Sequence, residues 1–282
     1  MKRKAELRKG HRTILFVSAH PDDTEIRASG FASLCREAGD RVVILSVTDG
    51  SSGHMNIEPI ELAAIRRKEA ENAVAVIGAE SMCLNVRDGS LESSLKNREL
   101  MIRTIRKIAP DIIITNRLND YHPDHRYTAS LVQDSSYMLM VPNVVSDTPA
   151  LGYNPIVMYW GDTFTFPGPF RPDVVISIDD VLEKKLDMMF AHTSQMFEWL
   201  PYVDNELDQV PPADDIAARH EWIRHMYNKR FVHHTSDCYR DMLISRYGKE
   251  KGESVKESEA FQVGEYGYYP TKEELELIFQ GM

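Results

Sequence analysis

The chain has 282 residues and a formal net charge of −10, from 43 acidic and 33 basic side chains. That balance argues against a protein that holds nucleic acid through phosphate contacts. A hydrophobic fraction of 43% suffices for a full core and excludes global disorder. The length fits one large α/β domain, or a domain with a smaller appendage. The basic N-terminus, MKRKAELRKGHR, has no apolar stretch of signal-peptide type behind it. The first apolar run, 14–19, is far too short to span a membrane. Cys35, Cys83 and Cys238 are odd in number, widely spaced and without a CxxC pair, so neither a disulfide framework nor a thiolate zinc site is expected. These features predict a cytoplasmic protein with reduced thiols, no membrane span and no nucleic-acid partner.

In chain order, short apolar runs rich in β-branched residues occupy 13–19, 41–48, 81–86, 111–116, 154–160 and 172–178. Such nearly continuous runs suit parallel strands buried on both faces. Helical patterns lie between them. Ile60, Ala63, Ala64, Arg67 and Ala70 begin one that runs out at Gly78. Residues 98–108 form a second, closed by Pro110, and Asp179 and Asp180 can cap a third running towards His192. Strand–helix repetition with short loops predicts right-handed crossovers and a Rossmann-like three-layer α/β sandwich with a mostly parallel sheet. The core is assigned to 1–195. Residues 196–282 read as a helical C-terminal extension of the same domain, with EKGESVKES at 250–258 as a mobile surface loop.

In doubly wound sheets, sites form at the carboxyl ends of strands, and two strings fall there. The first strand ends in Ala19-His20-Pro21-Asp22-Asp23-Thr24-Glu25. Adjacent carboxylates repel, and withdrawing both from water is costly unless a cation sits beside them. Two neighbours on a turn point in different directions, so one Asp can bind metal while the other faces a bound water. The fourth strand is followed by Asn119-Asp120-Tyr121-His122-Pro123-Asp124-His125-Arg126. First and fourth strands commonly flank the switch point, which lets the strings face each other. One His from the second string completes two His and one Asp, with a position left for water, as catalytic zinc sites require.

These strings resemble those of the PIG-L/LmbE-type zinc-dependent deacetylases, which act on N-acetylglucosamine joined to inositol, phosphatidylinositol, malate or further sugars. The likeness extends to Thr48-Asp49-Gly50, to the helix LAAIRRKEAENAVAVIGA at 62–79, to His192-Thr193-Ser194-Gln195 and to Ser258-Glu259-Ala260-Phe261. The resemblance implies that His20, Asp23 and His125 hold one Zn2+ per chain, with another divalent ion such as Fe2+ as the alternative. Asp22 would be the general base towards the metal-activated water. His122 would stabilise the oxyanion or protonate the leaving amine, with Asp124 orienting its ring. The implied partner is a small-molecule amino-sugar conjugate that loses an N-acetyl group. Family members often form trimers or hexamers; a homo-oligomer is left open, since nothing in this chain decides it.

The chain departs from the family pattern at Ile26-Arg27 and along the 51–55 loop with His54, both beside the expected pocket. Arg27 and His54 are candidate substrate-binding residues for that reason, Arg66 is a further candidate on its helix, and the resemblance adds His192 and Gln195. Each of three has a plainer reading: Arg66 on a solvated helix face, His54 on a surface loop, His192 at a helix end where the dipole favours it. The aromatic segment 160–170 is a candidate wall on the acceptor side. His220, His225, His233 and His234 read as structural or solvent-facing, and Tyr266, Tyr268 and Tyr269 as packing or an interface. Two other enzymes fit the same residues: an amidase on a non-sugar or thiol-conjugate amide, and a non-haem iron enzyme using the set of two His and one Asp. The iron reading is disfavoured by an Asp three residues after its His in an α/β chain. A non-catalytic sugar-binding module would need neither Asp22 nor His122.

Overall fold

All six expected strands form: β1 (Thr13–Ser18), β2 (Arg41–Thr48), β3 (Glu80–Val86), β4 (Ile112–Thr115), β5 (Ile156–Trp160) and β6 (Val174–Ser177). They are seen in a computed structural model that describes residues 5–231 and 235–282. A seventh strand, β7 (Ser258–Gly267), joins them in one sheet of order β3-β2-β1-β4-β5-β7-β6. The first five strands run parallel, and β7 is antiparallel to both neighbours.

The pleat sorts β1 onto two faces. Ile14 and Phe16 join a core with Ala28, Phe31 and Ala32 of α1 (Asp23–Glu37) and with Ala73 and Val74 of α2 (Pro59–Ala75). Leu15 and Val17 face Met101, Ile102 and Ile105 of α3 (Leu95–Ile108) and Leu131 and Val132 of α4 (Pro123–Met138). This is the expected three-layer sandwich. Helix α3 starts earlier than the expected residue 98: Ser94 caps its N-terminus by accepting from Asn97 N, and Ala109, just before Pro110, ends it in the left-handed region at φ 53°.

Beyond α5 (Leu182–Phe190) come a π-helix at Gln195–Trp199, the short α6 (Leu200–Val203) and α7 (Ile216–Met226). Met196 and Phe197 pack with Leu186 and Met189 of α5 and with Trp222, Ile223 and Met226 of α7. A second π-helical turn, Tyr227–Phe231, follows, then α8 (Thr235–Cys238), α9 (Arg240–Tyr247), α10 (Lys249–Ser254) and α11 (Lys272–Ile278). Among the described residues, no helix is long and apolar enough to cross a membrane.

Two expectations for the C-terminal segment need correction. It is not wholly helical, because β7 inserts between β5 and β6. The expected loop at 250–258 is largely α10. That charged helix is held because Gly252 lets it approach α9 closely: a Cβ at 252 would stand 2.4 Å from Ile244 Cα. Asp179 then accepts the backbone N–H groups of Lys256 and Glu257 and leads the chain into β7.

Glu259 of β7 anchors α1. Its carboxylate accepts from Gly30 N at 2.9 Å, Phe31 N at 2.8 Å and the buried Lys185 Nζ at 2.8 Å. This approach needs glycine at 30, where a Cβ would lie 2.5 Å from Ile178 Cγ2 and 2.9 Å from Glu259 Oε1. Gly30→Ala is therefore expected to destabilise the fold by about 1–3 kcal/mol through overpacking. Urea denaturation would measure this, and an unchanged midpoint would show that the contact yields freely.

Candidate metal centre and catalytic cleft

The sheet order reverses between β1 and β4, which pair directly, with Val17 opposite Thr115. The turns leaving these strands therefore emerge side by side at one edge. After β1, Ala19 O accepts from both Thr48 N and Thr48 Oγ1 at 2.8 Å, and Ser18 Oγ donates to His20 O. The turn is pinned before α1 begins. After β4, Asp120 accepts from His122 N, and Pro123 opens α4 at a position where its missing N–H costs nothing.

His20 Nδ1 and His125 Nε2 stand 3.1 Å apart. The Asp23 carboxylate lies 3.6 Å from the first and 3.4 Å from the second. The outer ring nitrogens are already engaged. His20 Nε2 lies 3.1 Å from Asp88 Oδ1. His125 Nδ1 lies 3.0 Å from Asp120 Oδ1, a charge contact rather than an aligned hydrogen bond. Carboxylates at the outer edges fix which nitrogen of each ring faces inward. The inner set of two imidazole nitrogens and one carboxylate demands positive charge.

The titration behaviour expresses the same demand. Burial alone would lower the His20 pKa, but Asp23, Asp124 and Asp88 outweigh it and raise it well above the usual value. His125 rises to about 9, with burial again overcome by Asp23 and Asp120. Burial would raise Asp23, yet the two histidines hold it well below the usual carboxylate range. A divalent cation satisfies the same electrostatics, so the residues present fit a zinc-type site.

Other combinations of donors are close. Ligand atoms of His20, His122 and His125 lie within 4.8 Å of one another, as do those of His20, Asp88 and Asp124. Asp88 and Asp124, however, form the back wall on the Nε2 side. Asp88 Oδ2 accepts from Ser52 N, and Asp124 accepts from Gly89 N at 2.7 Å and Leu91 N at 3.3 Å. The expected Asp124 carboxylate contact to the His122 ring is thus replaced by a backbone one: Asp124 N donates to His122 Nδ1 at 3.2 Å. With Nδ1 accepting, a neutral His122 carries its proton on Nε2. Burial and the neighbouring His20 and His125 lower its pKa and favour that neutral form.

Asp22 stands at the N-terminus of α1 with Oδ1 2.9 Å from Arg66 Nη2. Arg66 is 2% exposed, which corrects the solvated-face reading of its helix. His20, Asp22 and Arg66 line a cleft of about 470 Å3, together with Tyr121, Trp199, Leu200 and Val203. Arg27 and Gln195 also line it, and Gln195 Nε2 donates to Gly53 O.

His54 and His192 do not line this cleft. His54 Nδ1 accepts from Asn56 N and Ile57 N, and its Nε2 is 2.8 Å from Glu198. It staples its loop. His192 is fully buried beside Glu25. Among the described residues, none of 160–170 borders the cleft; Arg117 ties that segment down through Asp162, Phe164 O and Gly168 O. His220 stacks on Phe190, and His225 lies against Trp222. His233 and His234 lie outside the described residues. Tyr268 packs against the core and donates to Glu274.

The family described as PIG-L: GlcNAc-PI de-N-acetylase matches residues 15–136. A diacetylchitobiose deacetylase of Thermococcus kodakarensis is 28% identical over 202 residues, 67% of this chain and 74% of that protein. A 4-oxalmesaconate hydratase of Pseudomonas putida is 22% identical over 68% of this chain and 77% of that one. Among solved structures, the N,N'-diacetylchitobiose deacetylase of Pyrococcus horikoshii superposes with TM-score 0.66 at 23% identity, over 90% of this chain and 84% of that one. The 4-carboxy-2-hydroxymuconate hydratase of Pseudomonas putida KT2440 gives TM-score 0.66 at 17% identity, over 92% and 97%. At these identities the structures speak to the fold.

A ligand that binds only the native state raises its melting temperature. Zinc added to chelator-treated protein is expected to raise Tm by several degrees, an increment of roughly 3 kcal/mol at a hundredfold excess over Kd. His125→Ala should show no such rise. An equal rise in both proteins would remove His125 from the ligand set.

Proposed function

We propose that this chain is a zinc-dependent hydrolase that removes an N-acetyl group from a GlcNAc-type amino-sugar conjugate, a reading supported by the match of the PIG-L family to residues 15–136. The observation that carries this reading is the inward-facing His20, Asp23 and His125 set beside a separately held carboxylate, Asp22. The family description and the diacetylchitobiose deacetylase relatives support the substrate class. The net charge of −10 agrees with a small glycoconjugate rather than a nucleic acid as partner.

A divalent ion held by His20, Asp23 and His125 would supply a Lewis acid for the amide carbonyl and acidify a water at neutral pH. Asp22 is the base that takes a proton from the attacking water. As the carboxylic acid, it returns that proton to the leaving nitrogen while the C–N bond breaks, giving acetate and a free amine. Arg66 meets Asp22 while Asp23 meets the two histidines, so two adjacent carboxylates do different work. His122, neutral with Nδ1 engaged, offers Nε2–H to the charge growing on the carbonyl oxygen, a contribution of about 3 kcal/mol in comparable sites. The roles of Arg27 and Gln195 follow from position: both border the cleft where the aglycone would lie.

A second reading is water addition to a carbon–carbon double bond of a small unsaturated acid, favoured by the Pseudomonas putida hydratase match. The same base and cation would serve it. Acetate release from N-acetylglucosamine, its disaccharide and simple aryl glycosides separates the readings from loss of ultraviolet absorbance of a conjugated dicarboxylate. Acetate from none of the amides, with turnover of the unsaturated acid, would replace the deacetylase reading by the hydratase one.

Within the deacetylase, Asp22→Asn keeps size but cannot accept a proton. It is expected to retain metal and to lose about 10²- to 10⁴-fold in kcat. Asp23→Asn should lose metal affinity as well. Metal analysis alongside kcat at controlled zinc distinguishes them, and the opposite pattern would exchange the two roles.

A further inference from the structure

Helices α1 and α2 each turn two polar residues, about one helical turn apart, into the space beneath the segment that follows α5. Asp22 and Glu25 come from the start of α1, and Arg66 and Glu69 from α2. Asp22 meets Arg66 at 2.9 Å. One turn along α2, Glu69 accepts from Ser194 N at 2.6 Å and from Ser194 Oγ at 2.7 Å. Two residues before Ser194, His192 Nε2 lies 3.5 Å from Glu25 Oε1. Glu25 is one turn from Asp22, so the steps close into a ring of buried polar side chains around three elements.

Glu25 and His192 are each 0% exposed. Among the described residues, neither Glu25 oxygen nor either His192 nitrogen has a hydrogen-bond partner. Each is the other's ion-pair partner. Burying such groups is costly, and replacing a buried pair by apolar side chains is often neutral or stabilising. Stability alone therefore does not account for them. Their placement does. The rotation of the first turn of α1 sets where Asp22 points, and Glu25 is the inward side chain of that turn.

The other side of the ring is equally fixed. Gln195, next to Ser194, donates to Gly53 O, and Glu198 holds His54 of the same loop. Gly50 of that loop has φ 67°, and a Cβ there would meet Pro21 Cδ at 3.0 Å and the Arg66 guanidinium at 3.3 Å. The 50–54 loop thus packs closely on Arg66 and the metal turn, while the 192–195 turn meets Glu25 and Glu69.

We propose that Glu25 and His192 are positioning residues that hold Asp22 on Arg66 and away from Asp23, through the ring that passes by Ser194 and Glu69. Neither touches substrate. The proposal rests on Asp22 being the base, and it reassigns His192 from substrate binding to alignment of that base.

Glu25→Gln and His192→Gln keep volume while removing the pair, and either folded variant suffices. The expected result is a crystal structure in which Asp22 has left its 2.9 Å contact with Arg66. With it should come a kcat lowered by roughly 10- to 100-fold at full metal occupancy, as a small misplacement costs, and a KM changed far less than kcat, because neither substituted residue lines the cleft. A purely structural role would lower Tm and leave kcat per folded molecule unchanged. An intact Asp22–Arg66 contact in a folded variant overturns the proposal whatever the rate does. Loss of the contact without loss of rate keeps the positioning and refutes Asp22 as the base. The crystallographic result stands even if no amide proves to be a substrate.

Discussion

The His20 and His125 rings face each other at 3.1 Å, and Asp88 and Asp120 occupy their outer edges. Most of the local structure serves that approach. Imidazole nitrogens brought so close beside the Asp23 carboxylate need positive charge between them, supplied by protons or by a cation. Carboxylates behind each ring raise the basicity of the inward nitrogens and hold the rings in one orientation. An acidic protein thereby builds a centre whose polarity is set within a few ångströms, where its overall charge has little say.

The sheet brings this pair together by topology. His20 and His125 are far apart in sequence, yet β1 and β4 are hydrogen-bonded neighbours at the point where the strand order reverses. Chain leaving each strand turns onto opposite faces, α1 to one side and α4 to the other. Between them opens a crevice floored by the two turns. Loops after β2 and β3 complete it: Ser52 N and Gly89 N satisfy the carboxylates of Asp88 and Asp124 that form its back wall. The cleft lining combines His20 and the acidic Asp22, Asp23 and Asp88 with the apolar Trp199, Leu200 and Val203 and with Arg27 and Arg66.

Much of this was legible in the sequence, and the remainder was hidden for physical reasons. Five of the six strands showed themselves because strands buried on both faces are nearly continuous apolar runs; β3, at the sheet edge, is only partly buried. Strand β7 did not, since SEAFQVGEYG mixes glycine and charge, and its Glu259 points inward to helix amides and Lys185 rather than to water. The two motif strings placed His20, Asp22, Asp23, His122 and His125 at one edge of the sheet, where the fold brings them. Asp88 was missed because a lone Asp in an RDG turn carries no local signal; its meaning lies in a ring 68 residues away. Asp120 stood within the quoted string without an assigned task. Arg66 and Glu69 fall on the buried stripe of α2 with Leu62, Ala73 and Val74, and a reading by hydropathy sends such residues to solvent. His54 was drawn to the site by its loop and His192 by the resemblance of its HTSQ string, while packing gives them loop and core duties.

In the proposed hydrolase the cation would sit among His20 Nδ1, Asp23 and His125 Nε2, with Asp22 beside it but not bound. Anomalous diffraction at the zinc edge on metal-loaded crystals tests this most directly. The account requires one strong peak about 2.0–2.2 Å from those three donor atoms, with Asp22 still on Arg66. A peak held instead by Asp88 and Asp124 on the Nε2 side of His20, or one bound by Asp22, would contradict it.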